Sequence, residues 1–423
     1  MEFEGVGFED FETELEEFEV RKIGRFERAF KVGYGGSLGN HHEIKDGIVY
    51  LGARDFYVYA VEAEEGNEIW RFKADGMLPG GVSVFGDSVF AGSSDGSVYC
   101  INAKTGKLMW KFRSGGQVHN YPCGYENMLY FGSKDGHIYC LDKRTGQEIW
   151  RFKTGDIVAF SPCVYEGKVF AGSFDGYLYC LEGETGKEIW RFRTGGEIWS
   201  PFRPNAYNGV IYFGSFDNHL YAVDCETGKE IWRFKTGKYG NAGSPILYKG
   251  TIYHGSRDGI FYAIDSQTGK EIWRFQIGKE EIITQMPVVY QDRIYFGAGD
   301  GNFYCLDMEG KEIWRFKTGG KIYSSPSIWK EKIYFGSWDC HFYCVDPEGS
   351  EIWRFRTSTL AQSPIPRAYE MFEVAIKKSI SEDEMNRDEK YEFTSSEAGT
   401  ESEYSVKTEY AMKSEYKQES KYK

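Results

Sequence analysis

Between Ser161 and Gly196 the chain reads "SPCVYEGKVFAGSFDGYLYCLEGETGKEIWRFRTGG". Apolar and polar or small residues alternate in four short runs, and each run stops at a turn signal. "SPCVY" stops at "EG", "KVFAGS" at "FDG", "YLYCLE" at "GETGK" and "EIWRFRT" at "GG". The pattern predicts four short strands joined by tight hairpins. In the fourth run Trp190 and Phe192 share one face, while Ile189, Arg191 and Arg193 share the other, because side chains alternate along a strand.

The same pattern returns at Trp70, Trp110, Trp150, Trp190, Trp232, Trp273, Trp314 and Trp353, with spacings of 40, 40, 40, 42, 41, 41 and 39. Eight such units predict an all-β fold, an eight-bladed β-propeller of four-stranded antiparallel blades. One blade cannot bury an indole alone, so each Trp is expected to dock between neighbours. Burying ~150–250 Å² per indole at roughly 25 cal/mol/Å² gives about 4–6 kcal/mol each as an upper bound. Every second hairpin carries an Asp: Asp55, Asp95, Asp135, Asp175, Asp217, Asp258, Asp300 and Asp339. Six of the eight precede Gly or Asn, the residues that a hairpin turn with positive φ favours.

The boundaries follow from where the repeat holds. Residues 1–33 form an acidic arm whose "GRFERAFKVG" is a worn copy of a fourth strand, 34–358 the propeller, 359–379 a partial extra repeat or seam, and 380–423 a charged, Tyr-rich tail. In that tail Tyr404, Tyr410 and Tyr416 would share one face of a strand. It reads as a β-rich or disordered element for a partner or for self-association, or as a solubilising tail.

The net charge of −13 argues against nucleic acid as a partner. No apolar run is long enough to span a bilayer and the N-terminus has no signal-peptide pattern, so a cytoplasmic location is expected. Five of the nine cysteines (Cys100, Cys140, Cys180, Cys305, Cys344) sit where the other units have Ala60, Ala222 and Ala263. That exchange marks a small buried side chain rather than a disulfide.

With these residues on the page, "TGKEIWRF" following "GSxDGxxYxxD" resembles the tryptophan-docking repeat of pyrroloquinoline-quinone (PQQ)-type propellers. That family includes the quinoprotein alcohol dehydrogenases and the propeller lipoprotein of the bacterial outer-membrane assembly machinery. The likeness runs from about Asn40 to Thr357 and implies an eight-bladed ring. The quinoprotein enzymes carry a vicinal disulfide, a calcium held by carboxylate and amide oxygens, and an Asp base. This chain has no Cys-Cys pair, so the resemblance extends to the repeat and carries over no catalytic residue.

Function is expected where the repeat breaks. The links from a fourth strand to the next first strand vary most: from Trp to the residue before the next Pro they run 11, 10, 12 and 13 residues after Trp150, Trp190, Trp232 and Trp273. Candidate ligand-binding residues there are Asn40, His42, His119, Asn120, Tyr121, Phe160, Trp199, Arg203, Tyr239, Asn241, Gln285, Tyr323 and Gln362. They would suit a polar ligand or a peptide at the channel mouth, or would simply fill the channel. His41 and His42 are adjacent in a strand and point to opposite faces, so no metal site is expected. The arginines of the fourth strands and the acids before the third turns read as a salt-bridged rim. These observations lead to a non-enzymatic scaffold for a protein or peptide partner, with no cofactor. The alternative is a PQQ-binding oxidoreductase or sensor using calcium, or a small-ligand binder.

Overall fold

The computed structural model describes residues 38–159, 161–198, 204–238, 240–241, 243–278, 283 and 286–357, without the side chains of Gly39 and Asn40. All regular structure among these residues is β-strand. Eight separate four-stranded antiparallel sheets follow one another, each in the order first, second, third, fourth. Blade 1 holds Leu38–Lys45, Ile48–Ala53, Tyr57–Glu62 and Glu68–Lys73. Blade 8 holds Ser327–Trp329, Lys332–Gly336, His341–Val345 and Glu351–Arg356. Every blade is thus built from contiguous chain. The calls on the N-terminal arm, the extra repeat and the tail lie outside the described residues.

First strands of successive blades pack against one another, and the second and third strands are almost entirely buried. In the fourth strands Trp and Phe are half-buried while the residues between them face solvent, as in Glu188–Arg193. The chain therefore runs from the axis outward in each blade.

The docking tryptophans join the blades by one device used eight times. Each indole Nε1–H donates to a backbone carbonyl of the next blade at 2.8–3.2 Å, from Trp70 to Ala103 through Trp314 to Pro347. Trp353 closes the ring onto Ala63 of blade 1, where Tyr334 also donates to the same carbonyl and Lys332 pairs with Glu64. Beneath each indole lies the Gly of the next blade's third turn. At Gly186 φ is +70° and an added Cβ would stand 2.6 Å from Trp150. This turn needs Gly both for its backbone and for the ring above it.

Small residues in the third strand have a matching cause. Cys140, Ala222 and their counterparts are the direct cross-strand partners of the docking Trp, and the register slips by a bulge immediately afterwards. All nine cysteines are buried thiols outside any disulfide, and burial pushes the thiols of this position upward, for Cys140 to about 12. The indoles themselves are only half-buried, apart from Trp232 at 8% exposure. Their apolar contribution therefore falls below the upper bound, because the fourth strand forms the outer rim.

The rim differs from expectation in its pairing. Fourth-strand arginines bond the Glu three residues earlier in the same strand, as in Arg233–Glu230 at 2.8 Å and Arg315–Glu312 at 2.6 Å. They also lie over third-strand tyrosine rings at 5.3–5.6 Å, for example Arg315 over Tyr304. The acids before the third turns fold back on their own loops: Asp142 accepts from the backbone and hydroxyl of Thr145. A turn captures these carboxylates before a neighbouring strand can.

Candidate functional site: the mouth of the ring

The repeated Asp organises the face on which the links lie. In all eight blades its Oδ1 accepts the backbone N–H two residues on, and its Oδ2 accepts the hydroxyl of the Tyr four residues on. The residue after it has positive φ in every blade, even where it is Phe56 (+76°) or Cys340 (+68°). The same Oδ2 also reaches the preceding link, taking the N–H of Gly115 at Asp135 (2.8 Å) and of Gly319 at Asp339 (2.9 Å).

One position in this turn is not repeated. The residue before the Asp is Arg54, Ser94, Lys134, Phe174, Phe216, Arg257, Gly299 or Trp338 in blades 1 to 8. In blades 2, 3, 4, 5 and 8 its backbone N–H is tied to a link carbonyl, as Lys134 to Gln117 and Trp338 to Lys321. The backbone is thus held constant while the side chain is free to differ.

Around blades 8, 1, 2 and 3 these side chains and their neighbours form an arc of three groups, related by the charges that Arg54 and Lys134 exert on His119. Lys321 lies over the Tyr323 ring at 5.6 Å, Tyr323 meets Trp338 edge-on at 4.9 Å, and Arg54 stacks on Trp338 at 4.6 Å. His119 contacts Ser94 Oγ at 3.3 Å, and Lys134 donates to Gln117 Oε1 at 3.1 Å. Burial, then the charges of Lys134 and Arg54, hold His119 well below the ordinary imidazole range, so it is neutral. Burial alone pulls Lys134 down to about 8. Across the mouth Arg257 lies over Phe216 at 5.2 Å, and burial followed by the charge of Asp156 raises Glu197 to about 7.

The sequence-predicted residues divide into three groups. Phe160, Trp199, Arg203, Tyr239, Gln285 and Gln362 lie outside the described residues, and only the backbone of Asn40 is described. His119 and Tyr323 belong to the arc. His42, Asn120, Tyr121 and Asn241 are buried between blades. His42 Nε2 meets Ser327 Oγ at 2.7 Å across the seam and burial lowers it to about 3. Asn120 bonds the carbonyls of Gly132 and Ala159, and Tyr121 stacks on His41 at 4.2 Å. Asn241 accepts from His254 Nε2 at 2.6 Å. Sequence reasoning missed Arg54, Lys134, Lys321 and Trp338. Their signal was a variable residue beside an invariant Asp.

The quinoprotein set does not fit here. Among the described residues no group of three or more His, Cys, Asp or Glu could hold a metal ion. All nine cysteines are buried, no two of them adjacent in the chain, and the arc of Arg54, Lys134 and Lys321 would repel calcium. His41 and His42 turn to different neighbours, Tyr121 and Phe342.

Comparison with known proteins places the repeat. A family model described as the β-propeller of the beta-alanine-activating enzyme matches residues 141–381. A second, described as the outer membrane protein assembly factor BamB, matches residues 54–156. No curated protein matches the chain by sequence. Among solved structures, BamB from Moraxella catarrhalis superposes with a TM-score of 0.63 at 21% identity, over 71% of this chain and 91% of its own. The computationally designed Ika8 protein reaches 0.63 at 16% identity, over 77% and 97%. A europium-containing methanol dehydrogenase reaches 0.59 at 14%, over 73% and 85%. At these identities the likeness is one of fold.

Proposed function

This chain belongs to the PQQ-like β-propeller family whose model is the propeller of the beta-alanine-activating enzyme, and from that premise we propose that it is a non-enzymatic, cytoplasmic interaction platform. It binds a protein or peptide partner at the mouth of the ring. One observation carries the reading. The repeated polar groups (the Asp, the Tyr that bonds it and the indole N–H) are spent on repeated structural bonds, whereas the position released from the repeat is basic and aromatic on one side of the mouth. Guanidinium and ammonium groups beside aromatic rings suit a partner that offers carboxylates and apolar side chains. A structural relative named as an assembly factor supports the same reading.

Retention of partners from the native cell by the wild-type protein and by Arg54→Glu/Lys134→Glu, matched for folding by circular dichroism, tests it. A defined set of proteins depleted at least ten-fold by the reversal is expected; identical sets would overturn the reading. Calorimetric titration with PQQ, with and without calcium, is expected to give no heat. Tight saturable binding would replace the platform with a quinone protein.

A further inference from the structure

The chain enters the ring at the mouth. Leu38, the first described residue, pairs with Ala53 in blade 1, the neighbour of Arg54 in sequence. What precedes it is unusual. Residues 2–19, "EFEGVGFEDFETELEEFE", contain nine carboxylates, four phenylalanines and no basic residue. The arc beside the entry point is its chemical complement. Arg54 and Trp338 are stacked and buried, Lys321 and Tyr323 continue the pair, and His119 feels the charges of both Lys134 and Arg54.

The half-buried ammonium of Lys134 supplies the second argument. It has three donors, and among the described residues Gln117 Oε1 takes one of them. Its acidity is shifted by burial with no carboxylate offsetting it. A charge held this way is costly until an anion is brought to it. The intervening residues 20–37 span up to ~60 Å when extended at ~3.3 Å per residue, enough slack for the acidic segment to return to the face from which it departs.

We infer that the mouth is an acidic-peptide site and that its occupant is the chain's own segment 2–19, which partners must displace. The inference rests on the mouth being a peptide-binding surface and adds who occupies it. Phenylalanines of the segment meet Trp338 and Tyr323, and its carboxylates meet Arg54, Lys134 and Lys321. Occupancy is then electrostatic in part and weakens with salt.

Carbodiimide cross-linking of the full-length chain, which joins a carboxylate directly to a lysine amine, tests this. Light and heavy isotope-labelled copies are mixed so that links within one chain are told from links between copies. Links from residues 2–19 to Lys134 or Lys321 of the same chain are expected, falling at least five-fold in 0.5 M salt. The links to Lys321 should fall similarly in Arg54→Glu. The variant Glu9→Gln/Asp10→Asn/Glu12→Gln/Glu14→Gln changes no blade residue and should lower the links formed by Glu16 and Glu17. Links confined to Lys22 or Lys31, or found only between light and heavy copies, would overturn the inference. If the links are absent while Arg54→Glu/Lys134→Glu still loses its partners, the occupant is wrong and the platform stands. If the partners are also unchanged, both fail.

Discussion

At the rim blades 3 and 7 are interchangeable, and at the mouth they are not. Trp150 donates to Gly183 at 2.8 Å and Trp314 to Pro347 at 2.9 Å, each over a Gly with positive φ. Beside the turn, blade 3 places a half-buried lysine before Asp135, whereas blade 7 places Gly299 before Asp300. The rim can repeat because each of its bonds joins a side chain to the backbone of the next blade, and that backbone is the same everywhere. The mouth can differ because the turn beside the variable residue is fixed by the bonds of the Asp, which are the same whatever side chain precedes it.

The largest effect should come from breaking the rim. Trp150→Ala is expected to cost about 3 kcal/mol, read from denaturant unfolding followed by circular dichroism. Amide exchange should rise mainly in blades 3 and 4, since each blade contacts only its neighbours. A loss below ~1 kcal/mol would show that the indole contacts are decorative.

The turn aspartates come next, because they are not equal. At Asp339 burial opposes ionisation, but hydrogen bonds from His341, Tyr343 and Gly319 outweigh it and hold the carboxyl below its ordinary value. At Asp258 burial wins and raises it, with a longer bond of 3.2 Å from Tyr262. The stabilisation from Asp339 is present above the unfolded pKa of about 4 and is lost as pH falls through the lower folded value. That from Asp258 declines as pH rises from the unfolded value through the folded one. Asp339→Asn should therefore cost about 2 kcal/mol at pH 7 and less towards pH 3. Asp258→Asn should cost less than half as much at pH 7, as measured by urea titrations at both pH values. Equal costs at pH 7 would remove the distinction.

The smallest expected effect has the opposite sign. Asn241 and His254 form a buried polar pair where other blades carry Val118 with Phe131, or Ile198 with Phe213. Among the described residues Asn241 Nδ2 and His254 Nδ1 have no hydrogen-bond partner, and burial lowers the imidazole to about 3. Restoring the repeat with Asn241→Val/His254→Phe should raise stability by about 1 kcal/mol, seen as a higher denaturant midpoint. A lower midpoint would mean that the pair serves packing in blade 6 after all.

Much of this was legible before any coordinates. The period of Trp and Asp predicted eight four-stranded blades, the exchange of Cys with Ala marked a small site, and alternation placed Trp190 and Phe192 on one face. Each is a local rule repeated eight times, so noise in one copy is corrected by the others. The candidate site was less legible for the same reason, since a residue that breaks a repeat has no second copy to explain it. His42 and Asn120 look like ligands in sequence, yet they tie blades together across about 285 and 39 residues of chain. Arg54 and Trp338 look like ordinary turn residues, yet the ring's closure stacks them at 4.6 Å.

The sequence by itself therefore determined the blade, its turns, its glycines and the face each aromatic would show, because these depend on residues within one hairpin of each other. Only the tertiary structure decided which deviating side chains are buried struts and which form the basic mouth. That depends on distances between blades far apart in the chain, and those distances exist only once the ring has closed from Trp353 onto Ala63.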